Sequence, residues 1–246
     1  RIHSVAEARA AFDIARHCFD RVSFDLIYAR PGQSEADWEA ELARALGFGT
    51  GHLSLYQLTI EPGTRFATLV AQGKLTPADP DHGATLYELT QSMTVAAGIP
   101  AYEISNHARP GQESRHNLTY WRYGDYVGIG PGAHGRRTGQ ATVRHKKPEN
   151  WMNAVARNGH GAQGEEPLAD EDRAREALLM GMRLREGVDL RRIASESGIT
   201  ISQLVDDRAV ARLMEIGLMD RQESHIQVTP AGMLLLDAIL PEIVTV

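Results

Sequence analysis

The sequence predicts an α/β chain in two parts, with parallel βα units over residues 1–165 and a small, mostly helical, winged-helix-like part over residues 166–246. Three observations lead there. Strand-like runs alternate with amphipathic helices through the first half, which implies βαβ units and a parallel sheet. From Leu168 onward the pattern is helical and closes on a hairpin. Between the two, Gly159 to Pro167 is polar and glycine-rich and reads as a linker.

The elements follow in order. Ser4 and Glu7 form a capping box, and Ala8, Ala11, Phe12, Ala15 and Phe19 continue at helical spacing. A chain that opens at Arg1 directly onto a core helix is expected to be the remainder of something longer; a short native N-terminus is the alternative. Val22 to Tyr28 reads as a strand, broken by Pro31-Gly32. Ser34 and Asp37 cap a helix carrying Trp38, Leu42 and Leu46. His52 to Ile60 is the next strand, ending at Glu61-Pro62-Gly63. Helices are expected near 64–73 and 80–97, and strands at Pro100 to Ser105, Tyr126 to Ile129 and Val143 to Lys146. Asn150 to Arg157 looks helical. Helices then cover Arg173 to Arg185, Asp189 to Ser197 and Ile201 to Met214. A hairpin turns near Glu223-Ser224, and a last helix spans Pro230 to Ile239.

Composition excludes some classes. Of 246 residues, 42% are hydrophobic and 24% charged, ordinary for a soluble globular protein. The net charge of −6 gives no general reason to expect nucleic acid. A winged helix suggests DNA binding, but Gly181 to Val246 holds seven arginines, no lysine and ten acidic residues. The would-be recognition helix carries Asp206 and Asp207, where a DNA reader should be basic. Cys18 is the only cysteine, which forbids an intramolecular disulfide and fits a cytoplasmic location.

Chemistry concentrates in Tyr102 to Gly135, a segment with three histidines, four tyrosines and six glycines. Loops of that length in compact domains are usually functional or disordered, and the aromatic content argues against disorder. His116 and Tyr120, four residues apart, fall on one face of a helix or strand. Both residue types serve as haem-iron ligands, and such a pair also packs cores. Gly128, Gly130 and Ala133 fit a loose dinucleotide fingerprint, but Pro131 and the run after it give no helix, so that reading fails. The glycines either admit a ligand close to the backbone or make a tight turn. Earlier in the chain, Asp25 interrupts an apolar strand and should have a partner if buried, either a ligand or a structural ion pair. Gln57, Thr59 and Glu61 arrive together at a strand end, as a binding site or as strand-end solvation.

The runs DLIYARPGQ (25–33), LSLYQLTIEPGT (53–64), YEISNHARPG (102–111) and RHNLTYWRYGDYVGIGPGAHG (115–135), with the tail that follows, resemble the radical SAM oxygen-independent coproporphyrinogen III oxidase-like family. The match is closest to its haem-chaperone branch, HemW. The resemblance implies an incomplete βα barrel carrying S-adenosylmethionine and a [4Fe-4S] cluster, followed by a small C-terminal domain. The family's CxxxCxxC motif and early GGGTPS stretch are absent here, so the chain resembles the C-terminal two-thirds of a member, and Cys18 alone cannot hold a cluster.

By resemblance, Asp25 matches an aspartate that contacts S-adenosylmethionine, and Thr59, His134, Gly128 and Gly130 match positions lining that cofactor. His116, Asn117 and Tyr120 match the HNxxY motif of the chaperone branch, with His116 the expected haem-iron ligand. Two departures stand out: Ala29-Arg30 replaces the common Gly-Leu, and His107 the common Phe. The function implied is haem binding for delivery to haem-accepting respiratory proteins, in the cytoplasm or at the membrane periphery. The alternative is oxidative decarboxylation of coproporphyrinogen III to protoporphyrinogen IX, which needs the cluster cysteines.

Overall fold

The structure, a computed structural model, describes residues 4–246. The opening residues, from which the abrupt start was read, lie outside the described range. The chain divides into two compact units between Ser114 and Arg115.

The first unit runs α1 (Val5–Cys18), β1 (Asp25–Tyr28), α2 (Glu35–Leu46), β2 (His52–Gln57), α3 (Arg65–Ala71), α4 (Pro80–Ala96) and β3 (Asn106–Ala108). Its helices start where the caps direct. Ser4 with Glu7 and Ser34 with Asp37 form reciprocal capping boxes, Thr64 accepts from the Ala67 N–H, and Asp79 caps a helix opening on Pro80. β1 and β2 are parallel, with Asp25 opposite Ser54 and Tyr28 opposite Gln57.

The third strand departs from expectation in place and direction. It occupies residues 106–108 rather than 100–105, and it runs antiparallel to β2. The cause is local: Ala101 bridges His107, and the Tyr102 N–H donates to the Asn106 carbonyl at 3.0 Å, so the chain reverses before it joins the sheet.

The two faces of this sheet differ. Leu26, Tyr28, Leu53 and Leu55 pack on Trp38 and Leu42 of α2 and Leu86 of α4. Trp38 is fully buried, its indole N–H donating to Thr90 Oγ1 at 2.8 Å and its ring stacked 5.0 Å from Tyr28. That satisfies the one polar atom of a large apolar group. Phe12, Phe24 and Phe48 hold α1 through ring contacts of 5.0–5.7 Å. The other face carries Asp25, Ser54 and Asn106 side by side across the three strands.

The second unit begins with α5 (Arg115–Trp121), then β4 (His134–Arg137), β5 (Gln140–Arg144), α6 (Pro148–Asn158) and β6 (Ala162–Pro167). These strands form an antiparallel sheet in the order β4-β5-β6. The strand expected at Tyr126 to Ile129 is a single bridge from Tyr126 to Arg136. After it the chain must turn, because Gly130 and Gly132 adopt φ of +94° and +73°. The stretch read as a linker, 159–167, is ordered as β6. Two of its glycines have local roles: Gly159 ends α6 at φ +77°, and Gly161 lies so close to Trp151 that a Cβ would fall 2.2 Å from the indole.

The remainder runs α7 (Asp170–Gly181), β7 (Val188–Asp189), α8 (Leu190–Ser197), α9 (Ile201–Leu204), α10 (Asp207–Glu215), β8 (Met219–Gln222), β9 (His225–Val228), α11 (Pro230–Met233) and α12 (Leu236–Ile243), with its strands ordered β7-β9-β8. The single helix expected over 201–214 is two. Val205 leaves the helix to bridge Val244, and Asp206 then caps α10 by accepting from the Arg208 and Ala209 N–H groups at 2.8 and 3.1 Å. Among the described residues no helix is long and apolar enough to cross a membrane.

Candidate functional site

The second unit places the HNxxY residues on one short helix. α5 turns His116 and Tyr120 to the same side, their rings edge to face at 4.6 Å. Tyr120 in turn meets the Tyr126 ring at 4.3 Å, giving a ladder of His116, Tyr120 and Tyr126. The Arg136 guanidinium caps its far end, 5.7 Å from the Tyr126 ring and 3.4 Å from Tyr123. Arg136 is held there by the Gly124 carbonyl at 3.1 Å, and the Tyr123 hydroxyl donates to Glu176 at 2.6 Å. Burial pushes the Tyr126 phenol up, so it stays neutral.

His116 itself is exposed. Its Nδ1 lies 3.2 Å from Asn117 Oδ1, a contact that favours the tautomer with the proton on Nδ1 and the lone pair on Nε2. A ligating histidine needs this arrangement, with one nitrogen tied by a neighbour and the other open to metal. Adjacent His and Asn in one motif are thus explained by their own hydrogen bond.

Gly128, Gly130 and His134 lie along the turn into β4. Gly128 is packed, and a Cβ there would sit 2.1 Å from the His134 carbonyl oxygen. Gly130 has open space around it and a backbone conformation that favours glycine. Tight-turn geometry therefore accounts for Gly128, and Gly130 leaves its backbone accessible. His134 is exposed at the first position of β4.

In the first unit, Asp25 is exposed at the start of β1 and so needs no compensating partner. Thr59 is exposed beyond the opposite end of β2, its hydroxyl 3.5 Å from the Gln57 carbonyl. The structure thus separates these two by the length of the strand pair. Arg30, the added charge beside Asp25 in sequence, is held by Glu41 through contacts of 3.1 and 2.5 Å. Ala29, where the family commonly has glycine, is buried with φ +54°, a conformation that glycine adopts without cost.

Sequence reasoning missed a buried polar network on the same face as Asp25. Ser54 Oγ donates to Asn106 Oδ1 at 2.8 Å, and Asn106 Nδ2 donates to Glu103. The Ser105 N–H reaches the second Glu103 oxygen at 3.1 Å. Burial pushes the Glu103 carboxyl up, against these hydrogen bonds. Beside it, His52 shares hydrogen bonds with Ser23 at 2.7 Å and Tyr102 at 2.9 Å, and burial holds its pKa down. The available signal was Glu-x-Ser-Asn at a reversal, where polar side chains must pair with one another or with backbone.

The residues present do not fit an iron–sulfur cluster. Such a cluster takes several thiolates, and Cys18 is the one cysteine, exposed in α1. Among the described residues no group of three histidine, cysteine or acidic side chains could hold a metal ion.

Residues 168–235 match the HemN C-terminal domain family. The chain is 34% identical to Heme chaperone HemW of Bacillus subtilis, over 96% of this chain and 62% of that protein. Against HemW of Mycobacterium tuberculosis it is 36% identical, over 98% and 60% of the two chains. Against mitochondrial radical S-adenosyl methionine domain-containing protein 1 of Bos taurus it is 35% identical, over 98% and 57%. Its fold matches coproporphyrinogen III oxidase (HemN) of Escherichia coli with a TM-score of 0.75 at 20% identity, over 98% of this chain and 59% of that one. The chain belongs to the radical SAM coproporphyrinogen III oxidase-like family that includes HemN and the HemW proteins. It spans about three-fifths of the length of these three relatives, 57–62%.

Proposed function

We propose that this chain binds haem as cargo, as its HemW relatives are named for doing, with His116 Nε2 as the iron ligand. The observation that carries the reading is the Nδ1 contact to Asn117 at 3.2 Å on an exposed imidazole, which leaves Nε2 open. Tyr120 contacts the imidazole edge to face, which suits orienting the ring better than ligating iron. Delivery to haem-accepting respiratory proteins, in the cytoplasm or at a membrane periphery, extends the same reading.

In that reading the first unit is part of an incomplete βα barrel, and residues 166–246 form a winged-helix-like domain. The polar face with Asp25, Ser54 and Asn106 then lines the barrel interior. There Asp25 would accept a hydrogen bond from S-adenosylmethionine. The sequence does not supply the thiolates that a cluster for radical chemistry would need.

Titration of the purified chain with ferric haem, read at the Soret band, tests the assignment. The expected result is a shifted band that His116→Ala abolishes and Asn117→Ala weakens. An identical spectrum from His116→Ala sinks the ligand assignment.

A further inference from the structure

The second unit contains a groove of about 580 Å³ between residues Tyr126 and Val127 and the sheet β4-β5-β6. Ligand pockets commonly fall between roughly 300 and 1,000 Å³. Its wall includes Tyr126, the last ring of the aromatic ladder, together with Val127, Arg137, Arg144, His160 and Glu165. Tyr126 is thus shared by the groove and the ladder.

Its chemistry is that of an anion site on an acidic chain of net charge −6. Arg137 is exposed and pairs with Glu165 at 3.2 Å. Arg144 gives Nε to the Gly128 carbonyl at 3.1 Å, and its two terminal nitrogens enter no ion pair among the described residues. His160 Nδ1 accepts the Ala162 N–H at 3.3 Å, so the neutral ring carries its proton on Nε2 and presents a donor. The lining thus carries two guanidiniums, an imidazole N–H and one carboxylate. Val127, 63% exposed, and Ile129, 86% exposed, add apolar surface along the same turn. Paired cationic donors beside an aromatic ring and exposed aliphatic side chains suit a flat apolar ligand that bears carboxylates.

We infer that this groove holds the carboxylate side chains of a tetrapyrrole, with Arg144 as the principal partner and Arg137 as a second, held in check by Glu165. The inference rests on the haem reading, yet it concerns the carboxylate edge of the ligand and not its iron. Guanidinium–carboxylate pairs are charge-assisted and often bidentate. Removing one should cost about tenfold in affinity, which corresponds to about 1.4 kcal/mol.

The experiment titrates the 246-residue chain with three ligands: ferric haem, metal-free protoporphyrin IX, and protoporphyrin IX dimethyl ester, in which both carboxylates are blocked. Absorbance and tryptophan quenching report binding. Arg144→Gln should weaken the free acid about tenfold and leave the ester unchanged. Glu165→Gln, at an exposed position, releases Arg137 and should tighten the free acid several-fold. His116→Ala should remove the iron-ligand band of haem and leave protoporphyrin IX affinity intact.

Equal affinity for acid and ester, or no change in either groove variant, overturns the groove. A Soret band indifferent to His116→Ala, with acid and ester still discriminated, overturns the iron ligand and keeps the groove. If neither haem nor protoporphyrin IX binds, both readings fall.

Discussion

The polar row of the first unit and the aromatic ladder of the second both gather hydrogen-bonding side chains, but they leave them in opposite states. In the row, Ser54, Asn106 and Glu103 are buried; Ser54 donates to Asn106, Asn106 donates to Glu103, and the Glu103 carboxylate accepts at the end of the chain of contacts. In the ladder, His116 is exposed, and only one of its two ring nitrogens is engaged. A buried network fixes backbone geometry, here the reversal that brings β3 to the sheet. An exposed side chain with one nitrogen tied contributes little to stability and is available for a ligand. The contrast distinguishes residues that shape the molecule from residues that can serve chemistry.

Substitutions can break that contrast from its firm end downward. The largest effect belongs to Trp38→Ala, which removes a fully buried ring, its stack on Tyr28 and its bond to Thr90. A loss of about 3–5 kcal/mol is expected in denaturant unfolding of the first unit. Asn106→Ala should cost about 2–3 kcal/mol, since it strands the Glu103 carboxylate and the Ser54 hydroxyl in a buried setting. A loss under about 0.5 kcal/mol would mean that the row is loosely held.

The same row predicts a pH dependence. The folded pKa of Glu103 is raised above its ordinary value of 4.5 by burial. The folded state therefore binds more protons than the unfolded state across that window, and stability falls as pH rises from 4.5 through the raised value. Glu103→Gln should flatten that slope in thermal melts recorded across the window. Ala29→Gly is the one substitution expected to stabilise, by about 1 kcal/mol, because it relieves a left-handed alanine. The smallest effect is reserved for the ladder: His116→Ala should shift stability by less than about 0.5 kcal/mol while removing the haem signal. A large loss of stability there would make His116 structural and erase the comparison.

Local rules carried much of the fold. Ser4, Ser34, Thr64 and Asp79 announced helix starts because capping is chemistry between near neighbours. What escaped was set by distant contact. Nothing within residues 159–167 shows that 162–167 will pair with β5, and a glycine in tight contact with Trp151, Gly161, looks the same in sequence as a glycine serving flexibility. Val205 breaks a well-patterned helix because Val244, far along the chain, offers it a bridge. In the candidate site, the i to i+4 spacing of His116 and Tyr120 was legible. The joining of Tyr126 to that pair, and of Arg137 and Arg144 to one groove, depends on how a sheet folds back on a turn.

Trp38 has a further use. The chain's tryptophans are Trp38, Trp121 and Trp151, of which Trp38 alone lies in the first unit. Its ring is sealed from water, so its emission should be blue and should redden only when that unit opens. Trp121 directly follows Tyr120 in α5, close enough in sequence to be quenched by a coloured guest at the ladder. Replacing Trp121 and Trp151 with phenylalanine would leave a single lamp for the first unit, and its colour would tell an opened core from an occupied surface in one cuvette.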